Sequence, residues 1–298
     1  MRELITSTTN PKIKNLLLLQ EKSKARREQG LFVVEGRREL EHCIEAGYKV
    51  HTVFVCPEIL EASAPFDSVE NYFLGRCPKN QFSTSSCLRH PTRAEASVIS
   101  SEVEKSLLIE VPEALYRKIA YREGTEGIIA EVEAKSLALE DLALPENPLI
   151  VVLEAVEKPG NLGAVLRSAD AAKADAVIVC DPLTDLYNPN LIRASIGAIF
   201  TVPTVAASSE ETIAFLKARG IQILTAQLQD SSLYYDVDMK CGTAIVMGTE
   251  STGLTDVWRR AASAHIRIPM LGQLDSLNVS VSASILLFEA VRQRMAQL

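Results

Sequence analysis

LIVVLEAVEKPGNLGAVLRSADAAKADAVIVCD, residues 149–181, alternates the two periods from which an α/β layer is built. LIVVLEAV is an unbroken apolar run of strand length, PGN is a turn, LGAVLRSADAAKA is a helix rich in small residues, and AVIVCD is a second apolar strand. Strands that are apolar throughout are buried on both faces, as in a parallel sheet joined by crossover helices. The alternation continues through the short helix LIRASIGA, then TVPTV, the helix SEETIAFLKARG, IQILTAQ, AIVMGTE and HIRIPM, and it closes on a long helix from about Val279 to Met295. Residues 149–298 are therefore predicted to form an α/β domain with a largely parallel sheet covered on both faces.

Upstream the pattern is shorter and less regular. Asn10-Pro11 starts a helix that stops near Gly30; Leu31 to Val34 is a strand, 37–46 a helix ending at Gly47, and Val50 to Val55 the next strand. SLLIEVPEALYRKIA and GIIAEVE restore order after 75–101, a polar stretch rich in Ser, Pro and Arg that reads as a long loop or insertion. The expected organisation is a smaller α/β domain over 1–135, a linker over 136–148 containing LEDLALPENP, and the larger domain over 149–298.

The 298 residues, 47% of them hydrophobic, can fill two cores. No apolar run approaches the roughly 18 residues of a membrane helix, and Leu16 to Leu19 is too short for a secretory signal, so a cytoplasmic enzyme is expected. Cys43, Cys56, Cys77, Cys87, Cys180 and Cys241 form no CxxC pair, and the four histidines (His42, His51, His90, His265) form no ligand cluster; free structural thiols and no metal site follow. A net charge of −7 argues against a nucleic-acid partner, but its distribution matters more than its sum. Residues 1–38 hold nine Lys or Arg against four Glu, so the remainder carries −12. A basic leading segment on an acidic body steers a polyanion to one place, although an ordinary solvated helix has the same composition.

Three polar loops follow the apolar strands, where α/β folds bind ligands. Lys158-Pro159-Gly160-Asn161 precedes Gly163 and Arg167; here Asn161 is positioned to cap the helix. Gly248-Thr249-Glu250-Ser251-Thr252-Gly253 places two glycines around a carboxylate and can wrap a ligand closely. Ile268-Pro269-Met270-Leu271-Gly272 leads to Asp275-Ser276-Leu277-Asn278, where Ser276 or Asn278 can cap the last helix. The chain has neither GxxxxGK[ST] nor GxGxxG, which weakens a nucleotide-hydrolase or nicotinamide-oxidoreductase reading.

In combination and order these segments resemble the SPOUT class of methyltransferases, in particular the SpoU/TrmH family of ribose 2′-O-methyltransferases. The resemblance rests on KPGNLGAVLRSADA (158–171), IRASIGAIFTVPTV (192–205), IVMGTESTGL (245–254) and IPMLGQLDSLNVSVSASILLFEAVRQR (268–294). TSTTNPKIKNLLLLQEKSKARREQGLFVVEGRREL (6–40) and EGTEGIIAEV (123–132) are similar to the L30e-like substrate-binding domain that precedes the catalytic domain in many members. The family implies a deep trefoil knot, a homodimer, and S-adenosylmethionine bound by Gly248, Thr249, Glu250, Gly253, Ile268, Met270, Gly272, Ser276, Leu277 and Asn278. Its catalytic residues map onto Asn161, Arg167, Glu250, Ser276 and Asn278. Structured RNA, ribosomal in preference to transfer RNA, is to be met by Lys12, Lys14, Lys22, Lys24, Arg26, Arg27, Arg37, Arg38 and Arg167.

Three departures stand out: Lys173 where the family more often has glycine, Thr249 where asparagine or glutamine is common before the glutamate, and Thr125-Glu126-Gly127 in place of proline-glutamine-glycine. An RNA base methyltransferase of the same fold class is the nearest alternative, and a non-catalytic RNA-binding protein the next.

Overall fold

The computed structural model describes residues 3–63, 106–121, 126–249 and 252–295. The predicted loop or insertion at 75–101 lies outside them, as does Glu250. The chain divides into two compact units, Met1–Lys135 and Ser136–Leu298.

The first unit begins with β1 (Glu3–Leu4) and α1 (Pro11–Glu21). Asn10 caps α1 by accepting from the Lys12 N–H at 2.9 Å, and Pro11 supplies a preset φ at its first position. The predicted single helix to Gly30 is in fact two. Lys22 adopts extended backbone (φ −109, ψ 111) and α2 (Ser23–Gln29) starts afresh. The break is sealed by Arg26, whose guanidinium donates to the Leu19 and Gln20 carbonyls at 2.6 and 3.1 Å and so satisfies acceptors that the end of α1 leaves open. The chain continues through β2 (Leu31–Glu35), α3 (Arg37–Glu45), β3 (Val50–Val55), α4 (Pro57–Ser63), β4 (Leu107–Glu110), α5 (Glu113–Ile119) and β5 (Ile128–Glu133). The sheet order β1-β4-β3-β5-β2 is mixed: β4 runs parallel to β1 and β3, and β5 antiparallel to β3 and β2. Ile13, Leu16 and Leu19 of α1 pack with Val33, Phe54, Ile109, Tyr116 and Ile129 in its core.

The second unit is a seven-stranded, wholly parallel sheet, as its apolar strands predict. Its chain order is β6 (Leu149–Glu154), α6 (Pro159–Ala171), β7 (Ala176–Cys180), α7 (Pro189–Ser195), α8 (Ala198–Thr201), β8 (Thr204–Ala207), α9 (Ser209–Ala218), β9 (Gln222–Ala226), β10 (Ser232–Leu233), β11 (Thr243–Met247), α10 (Asp256–Ala261), β12 (Ala264–Arg267) and α11 (Val279–Met295). The strands lie in the order β10-β12-β9-β11-β6-β7-β8. Ile150, Val152, Ile178 and Val246 face Phe215, Leu216 and Trp258 of α9 and α10. Alternation turns Val151, Leu153, Val177 and Ile245 to the opposite face, and α6 and α11 pack against each other there. Within the expected linker, Leu139 and Leu142 are buried in this unit's core.

Gly163 is where α6 crosses α7: a Cβ there would lie 2.5 Å from the Ala194 Cβ. The far end of α11 is pinned by Arg294, which donates to the carbonyls of Asn147, Pro148, Met239 and Cys241. This places the start of α11 at the carboxyl end of the sheet. β10 and α10 are too short to carry a periodic signature in the sequence.

Candidate active site

Pro159 rather than Leu162 opens α6, with Lys158 at the cap position and no side-chain capping bond. Asn161 therefore stands inside the first turn and is not the cap. Its side chain turns to another element: Asn278 Nδ2 donates to Asn161 Oδ1 at 3.1 Å. Asn278 in turn caps α11, its Oδ1 accepting from the Ser280 N–H at 3.0 Å and hydroxyl at 2.6 Å. Ser276 does not take the capping role; its hydroxyl donates to Asp275 at 3.3 Å. Residues 117 positions apart thus join the starts of the two helices. Ser168 and Ser284 hydroxyls, 2.7 Å apart, continue the contact about two turns in. Arg167 projects from α6, exposed and with no hydrogen-bond or ion-pair partner among the described residues.

The loop after β11 is closed by backbone. A Cβ on Gly248 would come within 2.2 Å of the Gly253 carbonyl oxygen, so only glycine permits the turn. Gly253 completes it in the left-handed region, at φ +66. Thr249, one of the sequence's departures, works inside the loop: its Oγ1 accepts from the Thr252 N–H at 3.1 Å and lies 2.7 Å from the Thr252 hydroxyl. Glu154, at the end of β6, holds the loop's exit, accepting from the Thr255 N–H at 2.8 Å and hydroxyl at 2.6 Å.

Beyond the carboxyl ends of β9, β11 and β12 lies a cleft of about 330 Å³. Among the sequence-predicted cofactor residues, Gly248, Thr249, Gly253, Ile268, Met270, Ser276 and Leu277 line it. Gly272 and Asn278 do not, nor do Asn161 and Arg167, and Glu250 lies outside the described residues. Sequence reading missed a whole wall, Ala226 at the end of β9 and Gln227 to Gln229 after it, together with Arg259 and Arg267, and took Asp275 only as part of its loop. The signal lay in strand order: β9 neighbours both β11 and β12, so the loops of all three meet. Cys180, at the end of β7, has its thiol pushed up to about 12, chiefly by burial, which makes it a packing residue and not a nucleophile.

In the first unit the predicted RNA-facing cations differ in fate. Lys14, Lys22, Lys24, Arg27 and Arg38 are exposed. Lys22 and Lys24 pair with Glu21 and Glu28 across solvent at 3.9 and 3.7 Å, contacts of small energetic weight. Lys12 bonds to Glu3, and Arg37 to Glu41 at 3.2 Å. Arg26 is a correction: it is buried, its guanidinium spent on the end of α1, and it cannot reach a phosphate.

A parallel sheet with helices on both faces, opening through tight polar loops into a cleft beyond three strand ends, defines a cofactor-binding α/β enzyme domain. The chain belongs to the SpoU rRNA methylase family, whose model matches residues 148–288; a model of the MRM3-like substrate binding domain matches 10–130. The chain is 35% identical over 211 residues to the 23S rRNA (guanosine-2′-O-)-methyltransferase RlmB of Ralstonia nicotianae, covering 69% of this chain and 85% of that protein. Across 99% of its length it resembles the crystal structure of an RNA 2′-O ribose methyltransferase, at 37% identity and a TM-score of 0.74, covering all of that chain. An AdoMet-bound rRNA methyltransferase from Sinorhizobium meliloti superposes with a TM-score of 0.80 at 28% identity, over 98% of both chains.

Proposed function

We propose that this protein transfers a methyl group from S-adenosylmethionine to a ribose 2′-hydroxyl of ribosomal RNA. The observation that carries this reading is the junction of two sites: the cleft beyond β9, β11 and β12 adjoins the Asn161–Asn278 bond, which ties its last loop to the helix bearing Arg167.

The cleft's chemistry fits the cofactor. Leu254, Ile266, Ile268, Met270 and Leu277 offer apolar surface for a base and a thioether chain. Asp275 complements a cationic amine or sulfonium, and Arg259 and Arg267 complement a carboxylate. Within that wall, Gln227 Oε1 is buried with no hydrogen-bond partner, an acceptor for a donor that the described residues do not supply. When bound, S-adenosylmethionine supplies a methyl group already activated on sulfur.

The chain's own task is to align the acceptor ribose and ease loss of its proton. Arg167, exposed on α6, grips the target phosphate and orients the ribose; guanidinium stays protonated in proteins and is a poor base. Asn161 and Asn278 hold the acceptor helix against the cofactor loops. Ser276 lines the cleft near Asp275, and Glu250 is assigned to shaping the pocket or orienting Arg167. In the first unit, Lys14, Lys22, Lys24, Arg27 and Arg38 contact phosphates, which gives position and affinity more than sequence choice.

The finer architecture belongs to the same reading. The mixed sheet of the first unit is the L30e-like substrate domain. In the second, β12 lies two strands from β11 while α11 returns to pack on α6, a path suited to a trefoil knot. Val281, Phe288 and Met295 recur every seventh residue as an exposed apolar stripe on α11, the surface we assign to a homodimer interface.

The test is transfer of labelled methyl from S-adenosylmethionine to unmodified ribosomal and transfer RNA, followed by nucleoside analysis. A 2′-O-methylated nucleoside from ribosomal RNA is expected. A methylated base would replace the ribose reading with the base-methyltransferase alternative, and absence of transfer together with absence of cofactor binding would favour a non-catalytic RNA-binding protein.

A further inference from the structure

Glu154 is buried at the last position of β6, and its two carboxylate oxygens take both donors of one residue, Thr255, 101 positions away. Thr255 stands at the cap position of α10, where a threonine hydroxyl ordinarily serves its own helix; here it makes no capping bond and is committed to Glu154. On one side of this bond lies the loop Gly248–Leu254, of which Gly248, Thr249, Gly253 and Leu254 line the cleft. On the other side the chain leaves Glu154 through Ala155, held in the left-handed region at φ +51, and enters α6 with Asn161 and Arg167. A buried carboxylate is costly to desolvate, and two hydrogen bonds to a single residue are a small return if the purpose is stability alone. What the bond does fix is the register between the loop that lines the cleft and the helix that presents the acceptor-binding side chains.

We propose that Glu154 is a positioning residue for methyl transfer, holding the cofactor-lining loop in register with α6 through Thr255. This rests on the methyltransferase reading above. Hydrogen bonds of this kind act on rate through alignment, where small displacements are expensive. Turnover should therefore suffer more than RNA affinity.

The experiment compares the full-length wild type with E154Q, T255V and T255S, measuring S-adenosylhomocysteine affinity by calorimetry, kcat and KM on unmodified ribosomal RNA, and amide exchange over 248–254. T255V, which keeps the backbone donor and loses the hydroxyl, is expected to weaken S-adenosylhomocysteine about fivefold and lower kcat about tenfold with KM for RNA little changed. E154Q, which sets an amide NH2 donor where one of the two acceptor oxygens stood, should exceed this, and T255S should restore wild-type values. The loop 248–254 should exchange faster in E154Q and T255V alone. E154Q and T255V proteins that melt earlier but keep wild-type affinity, kcat and loop exchange would overturn the proposal and leave Glu154 a structural group. If E154Q does not fold, T255V against T255S decides the matter. A wild type that neither binds S-adenosylhomocysteine nor transfers methyl would instead sink the methyltransferase reading, and this assignment with it.

Discussion

The two units handle polar residues in opposite ways. In Ser136–Leu298 the candidate residues come from segments up to 117 positions apart and still converge, because every strand is parallel and every strand-end loop emerges at one end of the sheet. In Met1–Lys135 the cations are close in sequence and yet divide, because α1, α2 and α3 turn most of them to the surface while α2 buries Arg26. Nearness in sequence is thus a poor guide to a shared site, and the strand-end loop a good one.

The comparison breaks most sharply at Arg167. If Asn161 and Arg167 serve the acceptor while the strand-end loops serve the cofactor, Arg167→Ala should lower turnover by about 10²-fold or more while leaving S-adenosylhomocysteine affinity within about twofold. Calorimetry beside steady-state kinetics checks this, and an equal loss in both would merge the two sites into one. Gly248→Ala addresses the other side. Its Cβ would meet the Gly253 carbonyl at 2.2 Å, so the loop must open at a cost of about 1–3 kcal/mol. Cofactor binding should weaken by about 10–100-fold, and melting should fall by the few degrees that this strain implies.

How much of this was legible in the sequence follows from the same contrast. The run 149–181 announces a parallel sheet because strands buried on both faces need no polar alternation, and the seven-stranded sheet follows. The loops 248–253 and 268–278 were readable because glycines and caps mark where backbone must turn tightly. Gln227 and Glu154 were not. Gln227 is indistinguishable from any polar residue after a strand until β9 is known to lie beside β11 and β12. Glu154 passes for an ordinary strand terminus until Thr255 is found upon it. Asn161 was misread as a cap because Pro159 starts the helix two residues earlier. Arg26 was misread because composition counts charges without regard to burial.

That misreading gives the first unit its own test. Arg26→Ala should cost about 2 kcal/mol, since two buried carbonyls lose a charged donor, and should leave the salt dependence of RNA binding unchanged. Replacing Lys14, Arg27 and Arg38 by Ala should do the reverse: melting unchanged, and the slope of log affinity against log salt reduced by about 0.7–0.9 for each phosphate no longer neutralised. Denaturation and filter-binding titrations separate the two.

Smaller still is Lys173, which holds φ +52 just beyond α6, in the left-handed conformation that glycine adopts without penalty. Lys173→Gly should therefore stabilise the protein by up to about 1 kcal/mol, measured by denaturant unfolding. The weakest contrast is in pH. Burial, partly offset by Asn15, Thr52 and His51, raises the Glu131 pKa above its ordinary 4.5 in the first unit, so its contribution is present below that value and is lost as pH rises through the folded pKa. In the second unit the hydrogen bond from Arg292 lowers Glu289, so its contribution is present above 4.5 and lost as pH falls through the folded pKa. Amide exchange followed from about pH 3 to about pH 6, a span that lies on both sides of the ordinary glutamate value, should show E289Q flattening the response of α11 below 4.5 and E131Q that of β5 above it.

The central claim is that the acceptor is a ribose hydroxyl, and alkaline hydrolysis of RNA labelled by the full-length protein tests it most directly. Cleavage in alkali needs a free 2′-hydroxyl, so a 2′-O-methylated linkage survives. Label from methyl-labelled S-adenosylmethionine is expected in alkali-resistant dinucleotides from ribosomal RNA, and Arg167→Ala should abolish its recovery there. Label released wholly as mononucleotides would place the methyl on a base and contradict the claim.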